Sequence, residues 1–367
     1  MRNKVHSITE SRIHGDMYVR FGGRFGETCG SNAVRRSEPS LQIYNIGIIG
    51  CGGIAAKMAA TLGGMKGVKR YAVASRTEEK AKAFAEKWQF AKAYGSYEEL
   101  ASDPEVDLIY IATPHAMHYD NARLCIEKGK PVLCEKAFTA NARQAADLLK
   151  LAEEKKVFLT EAIWTRYMPL SLKIRALLED GVIGTPHILS ANLGYVIDRK
   201  ERILRPELAG GALLDLGVYL LNFAAMYFGK EVASVHSVCQ KTDTGVDAQE
   251  NITLLFEDGK MAALQASIHA ATDRMGIISG DKGHLIVENI NNPQSVKVLD
   301  TNYQTVAVYD APQQITGYEY QVYASLEAIE KGWLESPYMP HAETLRIMQQ
   351  MDVLRREWGV VYPCDNE

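Results

Sequence analysis

We expect no apolar run of the sequence to cross a bilayer, and the sequence lacks a strong excess of either charge. Lys and Arg number 41 against 45 Asp and Glu, which leaves a formal net charge of −4 at pH 7. So small a charge does not provide the basic surface that nucleic-acid-binding proteins present. We therefore expect neither a membrane-spanning segment nor a nucleic-acid partner.

Cysteine is scarce and widely spread, with six residues in a chain of 367. No two of them form a C-x-x-C pair, so the sequence predicts neither a zinc site nor a disulfide framework. We expect no bound metal and a reducing, cytoplasmic location. The six residues are Cys29, Cys51, Cys125, Cys134, Cys239 and Cys364.

The first 43 residues lack a sustained apolar core and carry seven Lys or Arg against four Asp or Glu. Secretory signals need such a core, and organelle transit peptides are poor in acids. We expect residues 1–43 to be an extension without a stable fold, or a stretch that a misassigned start site adds. A regulatory arm is the alternative.

A glycine-rich turn between an apolar strand and a helix, in residues 44–55, is the strongest signal that the sequence does contain. Gly50 permits a tight turn, and Gly52 has no side chain to keep a pyrophosphate away from the backbone. The following helix directs free N–H groups and its positive dipole end toward the same phosphates. This context predicts a dinucleotide site that includes Gly53 and Ile54.

The order of the predicted elements indicates two domains, as the length of the chain also does. Strands and helices alternate over residues 44–162, which is typical of a doubly wound parallel sheet. Over residues 163–367, two helices precede a series of strands and a final helix, Ala342–Trp358. We predict an α/β protein with an N-terminal Rossmann domain and a C-terminal α+β domain that contains a large, mostly antiparallel sheet.

The second predicted strand ends at Ser75 and Arg76, where NAD-binding proteins usually carry an acid for the ribose 2′-hydroxyl. A hydroxyl and a guanidinium suit a 2′-phosphate instead. We therefore expect NADP(H) to be preferred over NAD(H). The alternative is a solvent-facing arginine at a strand end.

Polar side chains follow two further strands, at the edge of the sheet where ligands bind in such folds. The histidines there are candidates for lining the nicotinamide, and a lysine there can stabilise an alkoxide as it forms. The alternatives are structural histidines and an ordinary surface lysine. The residues are Thr113, Pro114, His115 and His118 after one strand, and Glu135 and Lys136 after the next.

Six motifs in this order resemble the Gfo/Idh/MocA oxidoreductases, and they cover the chain after about residue 43. The pattern is most similar to the dimeric dihydrodiol dehydrogenases, with glucose–fructose oxidoreductase and NADP-dependent xylose dehydrogenase nearby. The motifs are the glycine turn, T-P-H-x-x-H at 113–118, E-K at 135–136, W-T-R at 164–166, G-G-A-L-L-D-L-G-V-Y at 210–219 and S-P-Y-M-P-H-A-E-T at 336–344.

The resemblance implies which residues carry the chemistry. Lys136 corresponds to the catalytic lysine, with Ala137 in the place where the family usually has proline. Asp215 and Tyr219 correspond to an acid and a general acid/base on one helix face, and the tyrosine replaces a histidine as in the dihydrodiol subgroup. Cofactor contacts are implied for two more residues, Trp164 and Arg166.

The activity that the resemblance implies is NADP(H)-dependent oxidation and reduction of a sugar or a cyclic polyol or diol, by a homodimer or a dimer of dimers. An uncovered sheet face over Glu250–Ser267 is the expected interface. One alternative is an NAD-dependent glycosidase of the same fold, which retains its cofactor through turnover. Another is a non-enzymatic cofactor-sensing regulator, against which the intact Lys136, Asp215 and Tyr219 argue.

Overall fold

Two β-sheets with helices packed on them form the part of the chain that the computed structural model describes, residues 42–366. All but the last two residues of the predicted extension lie outside the described residues. The first sheet belongs to residues 44–162 and the second to residues 186–310. The predicted domain boundary after residue 162 falls between the two sheets and stays a prediction.

The first sheet has six parallel strands in the order β3–β2–β1–β4–β5–β6. The chain order reverses between β1 and β4, which is where folds of this type bind their ligands. The predicted doubly wound parallel sheet is confirmed. Its elements are β1 (Tyr44–Ile49), α1 (Gly53–Gly64), β2 (Val68–Ala74), α2 (Glu78–Trp88), β3 (Lys92–Tyr94), α3 (Tyr97–Ser102), β4 (Leu108–Ile111), α4 (His118–Glu127), β5 (Val132–Glu135), α5 (Ala142–Lys155) and β6 (Leu159–Ala162).

Local sequence explains these elements. Strand β1 is apolar on both of its faces, since helices cover both sides of a parallel sheet, and Ile46, Ile48 and Ile49 are almost wholly buried. Helix α3 begins after Ser96, whose hydroxyl accepts a hydrogen bond from the Glu99 amide at 3.2 Å. The Ser96 side chain therefore caps the start of this helix.

The second sheet has eight strands in the order β14–β13–β12–β11–β7–β10–β9–β8, and only the β7–β10 pair is parallel. The predicted large, mostly antiparallel sheet is confirmed. Its strands are β7 (Pro186–Gly194), β8 (Val232–Lys241), β9 (Asp247–Phe256), β10 (Met261–Ser267), β11 (Gly276–Gly280), β12 (Gly283–Glu288), β13 (Ser295–Asp300) and β14 (Thr305–Asp310).

Helices of the second half cover one face of this sheet. Helix α8 packs against β7 and β10, and a single π-helical turn, Leu213–Gly217, leads into it. The helical stretch over residues 213–228 therefore has two parts of different pitch. The helices are α6 (Pro169–Glu179), α7 (Glu201–Leu204), α8 (Val218–Phe228), α9 (Glu319–Glu330) and α10 (His341–Trp358).

The run Pro206–Phe228 corrects one expectation, because it is long and apolar enough by length and composition to cross a bilayer. It is the only such run within residues 42–366. Its most apolar 18-residue window is 89% buried inside the fold, as the central helix of a protein core is.

The end of the chain returns to the first sheet. Helix α10 packs on α5, and its residue Asp352 accepts a hydrogen bond from the Ala142 amide at 2.8 Å. At the other end of α10, an imidazole nitrogen of His341 lies 2.8 Å from the Leu159 carbonyl oxygen in β6. The last helix of the sequence thus completes the cover of the first sheet.

Candidate active site

A cavity of about 760 Å³ lies at the carboxyl ends of β1, β4, β5 and β6, and residues of the second half form its other wall. Its position is the one that the reversal of strand order predicts. Most of the predicted site residues line it, namely Gly52, Gly53, Ile54, Thr113, Pro114, His115, Glu135, Lys136, Trp164, Asp215 and Tyr219.

The glycine turn after β1 fits the pyrophosphate of a dinucleotide. Gly50 has a φ of +106°, and a Cβ there would lie 2.8 Å from the Ala112 carbonyl oxygen. Gly52 and Gly53 are exposed, and a Cβ at either would meet no atom within 4 Å. Open space therefore faces the start of α1, where free N–H groups can bind phosphate oxygens.

Asp215 is the centre of a buried cluster of charges. Its Oδ1 accepts hydrogen bonds from Lys136 Nζ and Arg202 Nη1, each at 3.0 Å. Lys136 Nζ also donates to the Asp215 main-chain carbonyl at 2.8 Å. Burial alone would raise the pKa of Asp215, but the two cations outweigh burial and hold that pKa far below its usual range. The carboxylate therefore stays ionised and fixes the position of Lys136.

Tyr219 presents a protonated hydroxyl to the cavity. Its oxygen accepts a hydrogen bond from Trp164 Nε1 at 2.9 Å, and Lys136 Nζ lies 5.1 Å from the centre of its ring. Trp164 is held in turn by Tyr318, since the two rings stack with centroids 4.1 Å apart and planes 3° apart. Burial raises the pKa of Tyr219 well above its usual value, which the Trp164 hydrogen bond only partly opposes.

Two other side chains of the cavity wall have pKa values shifted by burial. Burial raises the pKa of Glu135 to about 7, and its carboxyl accepts a hydrogen bond from the Tyr110 hydroxyl. His115 Nδ1 lies 2.9 Å from the Ala209 carbonyl oxygen, and burial lowers the pKa of this histidine to about 3. Because a carbonyl only accepts, Nδ1 carries the proton and Nε2 is left as an acceptor.

Three predicted cofactor residues lie outside the wall of the cavity on the side of the first sheet. Gly50 forms the turn beneath it, while Ser75 is buried and Arg76 exposed at the end of β2. That place is the strand end where a ribose would lie in such a fold. The contacts predicted for these residues stay predictions.

His118 and Arg166 also lie outside the cavity wall, where they make structural contacts. The two ring nitrogens of His118 lie 2.8 and 2.9 Å from main-chain carbonyl oxygens of Ala137 and Thr113. Arg166 is buried and donates hydrogen bonds to Glu343 and Asn222, each at 2.6 Å. These contacts connect the strand ends of the first sheet to α8 and α10.

Several residues of the cavity wall have no motif in the sequence. Arg202 lies in the four-residue helix α7, and Tyr318 lies just before α9, so only the tertiary fold brings them to Asp215 and Trp164. The other polar or aromatic residues of this kind are Lys57, Tyr195, Lys200, Arg274, Asn289, Asn291 and Asn292.

The sequence matches a known family over both halves. The NAD-binding Rossmann domain of the GFO/IDH/MocA oxidoreductase family matches residues 44–163, and the GFO/IDH/MocA C-terminal domain matches residues 171–286. The chain belongs to the GFO/IDH/MocA oxidoreductases. It is thus an oxidoreductase with a dinucleotide-binding fold, and the prediction of an NAD(P)-dependent dehydrogenase is confirmed at that level.

Similar characterised proteins include two kinds of dehydrogenase. Trans-1,2-dihydrobenzene-1,2-diol dehydrogenase of Xenopus tropicalis is 36% identical over 302 residues, which are 80% of this chain and 90% of that protein. D-xylose 1-dehydrogenase (NADP(+)) of Hypocrea jecorina is 37% identical over 305 residues, which are 74% of this chain and 78% of that protein. The subgroup that the motifs resemble is therefore confirmed.

Solved structures of the family share the fold of this GFO/IDH/MocA chain. KijD10, a 3-ketoreductase from Actinomadura kijaniata in complex with NADP and TDP-benzene, superposes with a TM-score of 0.78 at 23% identity. The match covers 86% of this chain and 97% of that one. An aldose-aldose oxidoreductase from Caulobacter crescentus, complexed with glycerol, gives a TM-score of 0.79 at 22% identity, covering 86% and 98%.

Proposed function

We propose that this enzyme transfers a hydride between NADP(H) and a hydroxyl-bearing carbon of a sugar or of a cyclic polyol or diol. The observation that carries the proposal is the placing of Lys136, Asp215 and Tyr219 together in one cavity with the glycine turn. The relatives that are named as diol and xylose dehydrogenases support this class of substrate.

Tyr219 is the group that exchanges a proton with the substrate oxygen. The nicotinamide, when bound, supplies or accepts the hydride. In reduction the neutral tyrosine donates its proton to the carbonyl oxygen, and its raised pKa favours this form at rest. In oxidation the same oxygen accepts the proton of the alcohol. The tyrosine must then be deprotonated first, which requires a cation nearby to lower the pKa of Tyr219.

Lys136 provides that cation. Its ammonium group lies against the Tyr219 ring, and Asp215 holds it there through a buried ion pair. A positive charge at this place stabilises a tyrosinate or a developing alkoxide, because the cavity screens charges less than water does. Asp215 acts by holding Lys136 in place. Its carboxylate can also accept hydrogen bonds from substrate hydroxyls.

The preference for NADP(H) rests on the end of β2. No carboxylate follows this strand before Glu78, so no negative charge there repels a 2′-phosphate. Ser75 and Arg76 provide a hydroxyl and a positive charge that can bind it. Arg76 is exposed at the end of β2, where its guanidinium can form hydrogen bonds with a 2′-phosphate. The NADP-dependent xylose dehydrogenase among the relatives supports the same choice.

The experiment that tests the function is a panel of neutral aldoses, inositols and diols with NADP⁺, followed by the absorbance of the reduced nicotinamide. Stoichiometric formation of NADPH and of an oxidised product is expected. An NAD-dependent glycosidase keeps its cofactor through turnover and would therefore show no net formation of NADPH. A cofactor-sensing regulator would bind the cofactor without turnover. Either result would replace the proposal with the corresponding alternative.

A further inference from the structure

Three cations of the cavity wall, Lys57, Lys200 and Arg274, have no carboxylate partner, since none has a carboxylate oxygen within 4.0 Å among residues 42–366. Arg202 in the same wall is different, because it forms an ion pair with Asp215. Lys200 and Arg274 belong to the second half of the chain, whereas Lys57 lies on α1 beside the glycine turn.

The contacts of Arg274 hold it in place without reducing its charge. One guanidinium nitrogen donates to the Tyr195 hydroxyl at 3.4 Å, and the guanidinium carbon lies 5.6 Å from the centre of that ring. Tyr195 in turn donates to Asn291 at 3.5 Å, and the Asn291 carbonyl accepts from Thr165 at 2.8 Å. This chain of neutral partners connects Arg274 to the turn that carries Trp164.

The backbone around Arg274 has an unusual conformation. Arg274 and Asn289 have φ values of +59° and +60°, and the Ile290 amide donates to the Arg274 carbonyl at 2.8 Å. Non-glycine residues seldom adopt this region, and those that do are concentrated at ligand sites. Both residues line the cavity, and Asn289 Oδ1 is buried without a hydrogen-bond partner among the described residues.

The phosphates of a dinucleotide are already matched on the opposite wall. The glycine turn and the start of α1 provide N–H groups there, and Lys57 on α1 adds a positive charge. Lys200 and Arg274 are therefore additional to what the cofactor needs. Unpaired cations beside amide side chains form a site for a molecule that has both hydroxyls and a negative charge.

We propose that the substrate is an anionic sugar or cyclic polyol, whose carboxylate or phosphate binds to Arg274 and Lys200 while its reacting hydroxyl lies at Tyr219. This rests on the proposed function and adds the class of substrate. A planar guanidinium forms paired hydrogen bonds with either anion. Asn289 and Asn291 lie beside it and can bind the remaining hydroxyls.

The test compares each neutral sugar of a panel with its uronate and its 6-phosphate. With NADP⁺ saturating, we expect at least one anionic form to exceed its neutral parent by about tenfold or more in kcat/KM, the effect of one charge-assisted hydrogen bond. Arg274→Gln and Lys200→Gln should each remove most of this advantage, measured as the ratio of the anionic to the neutral kcat/KM within the same variant. The uronate and the phosphate distinguish the two anions.

Arg199→Gln is the matched control, because Arg199 is an exposed neighbour of Lys200 that does not line the cavity. It removes the same charge from the protein and should leave the anionic advantage unchanged. A loss of the advantage in this variant would mean that general attraction, and not a site, causes it. That result would overturn the inference.

Calorimetric titration of the NADP⁺-loaded protein separates this inference from the proposed function. If neutral and anionic forms bind equally, the inference is wrong, whether or not turnover is observed. If Arg274→Gln weakens NADP⁺ itself and not the sugar, the cations serve the cofactor, and the inference is equally wrong. Tighter binding of an anionic form without any turnover would support the inference and contradict the proposed function.

Discussion

The Tyr219 hydroxyl is the single group on which the proposed proton transfer depends. Tyr219→Phe removes that oxygen, keeps the ring beside Lys136, and should reduce kcat by about 10²–10⁴-fold, the usual effect of a positioned general acid or base. Lys136→Met should also remove most activity, and the double variant should be little worse than either single one. Steady-state kinetics with NADP⁺ and the best sugar or diol of the panel measures this.

Tyr227→Phe is a matched control on the same helix. Its hydroxyl donates to the Ser171 carbonyl at 3.4 Å, and the residue does not line the cavity. We expect this variant to keep its kcat and to lose only a little thermal stability. A Tyr219→Phe protein that behaves in the same way, with near-normal kcat, would rule out the mechanism.

Arg76 governs the choice between the two dinucleotides in this proposal. We expect NADP⁺ to bind at least about tenfold better than NAD⁺, which corresponds to ~1.4 kcal/mol and is within the reach of one charged hydrogen bond. Arg76→Ala should narrow the difference, chiefly by weakening NADP⁺. Fluorescence titration with both cofactors measures this, and equal affinities in the unaltered protein would contradict it.

The site residues that the sequence could predict are those that carry a local pattern. Lys136, Asp215 and Tyr219 lie within motifs, and the structure places all three in the cavity wall. Arg202 and Tyr318 could not be predicted, because their partners are distant in sequence and no periodicity marks them. Contacts of that kind follow only from the packing of the two sheets.

Among the elements, the π-helical turn that carries Asp215 is supported by two buried acids of β9. Asp247 accepts a hydrogen bond from the Leu213 amide at the start of the turn, and Glu250 lies against Gly217 at its end. Both oxygens of Glu250 are buried without a partner among the described residues. Burial and the nearby Asp247 raise the pKa of Glu250 well above its usual value.

Glu250→Gln should therefore change how stability depends on pH. A raised folded pKa means that Glu250 favours the folded state at low pH and that this contribution decreases as pH rises from the ordinary glutamate value toward the raised one. The amide does not titrate, so the variant should gain melting temperature relative to the unaltered protein as the pH rises above the ordinary glutamate value. Melting curves across this range measure the difference.

Glu257→Gln, in the exposed turn between β9 and β10, is the control for that comparison. It removes the same ionisable group without taking one out of the core. We expect its melting temperature to run parallel to that of the unaltered protein across the range. Parallel curves for Glu250→Gln as well would mean that its carboxyl is ionised in the fold, contrary to this account.

The elements that the sequence did not predict are those with weak patterns. In β7 only alternate residues such as Leu189, Ala191 and Leu193 are buried, and the strand lies between two helical stretches with no hairpin turn to mark it. The three residues of β3 are too few to show a period. Helix α9 has many buried polar residues and therefore lacks a clear apolar stripe.

At the scale of the whole molecule, one face of the second sheet is exposed and partly apolar. Leu255, Met261 and Ile188 are 37%, 46% and 56% exposed, and they lie side by side in register on β9, β10 and β7. The expected interface is an uncovered sheet face over Glu250–Ser267, where the sequence has apolar residues at alternate positions of both strands. The structure buries Ile252, Leu254 and Phe256 and exposes Met261, Ala263 and Gln265.

We propose that this exposed face joins two copies of the chain into a homodimer, or into a dimer of dimers, because apolar rows of this kind usually mark an interface. Met261→Lys places a charge in the middle of the row and should shift the protein toward a 40.7 kDa monomer. Light scattering at micromolar concentration measures the change. A monomer in the unaltered protein would contradict the proposal.

The control for the assembly experiment is Val353→Lys, on α10. Val353 is 49% exposed, so the same substitution adds the same charge at an apolar surface position away from the sheet. We expect it to keep the mass of the unaltered protein. If both variants dissociate to the same extent, added charge and not the sheet face accounts for the change.

The sequence predicts a larger part of the overall architecture than of the site. Periodicity and the glycine turn are local properties, and they predict the parallel sheet and the mostly antiparallel one, both of which are confirmed. The position of α10 depends on contacts such as the ion pair between Arg166 and Glu343, which are far apart in sequence. No pattern in a single sequence records such a pair.

Because α10 packs on the first sheet, we expect that residues 44–162 cannot be cut out or exchanged as an independent domain. Cutting the chain after Ala162 would remove α10 from α5, leaving α4 as the helix packed on it, and would leave the Ala142 amide without the carboxylate of Asp352. Exchanging the dinucleotide half between relatives, to alter cofactor choice, would have to transplant the last helix as well. In this enzyme, the cofactor-binding half therefore depends on a helix that follows the second sheet in sequence.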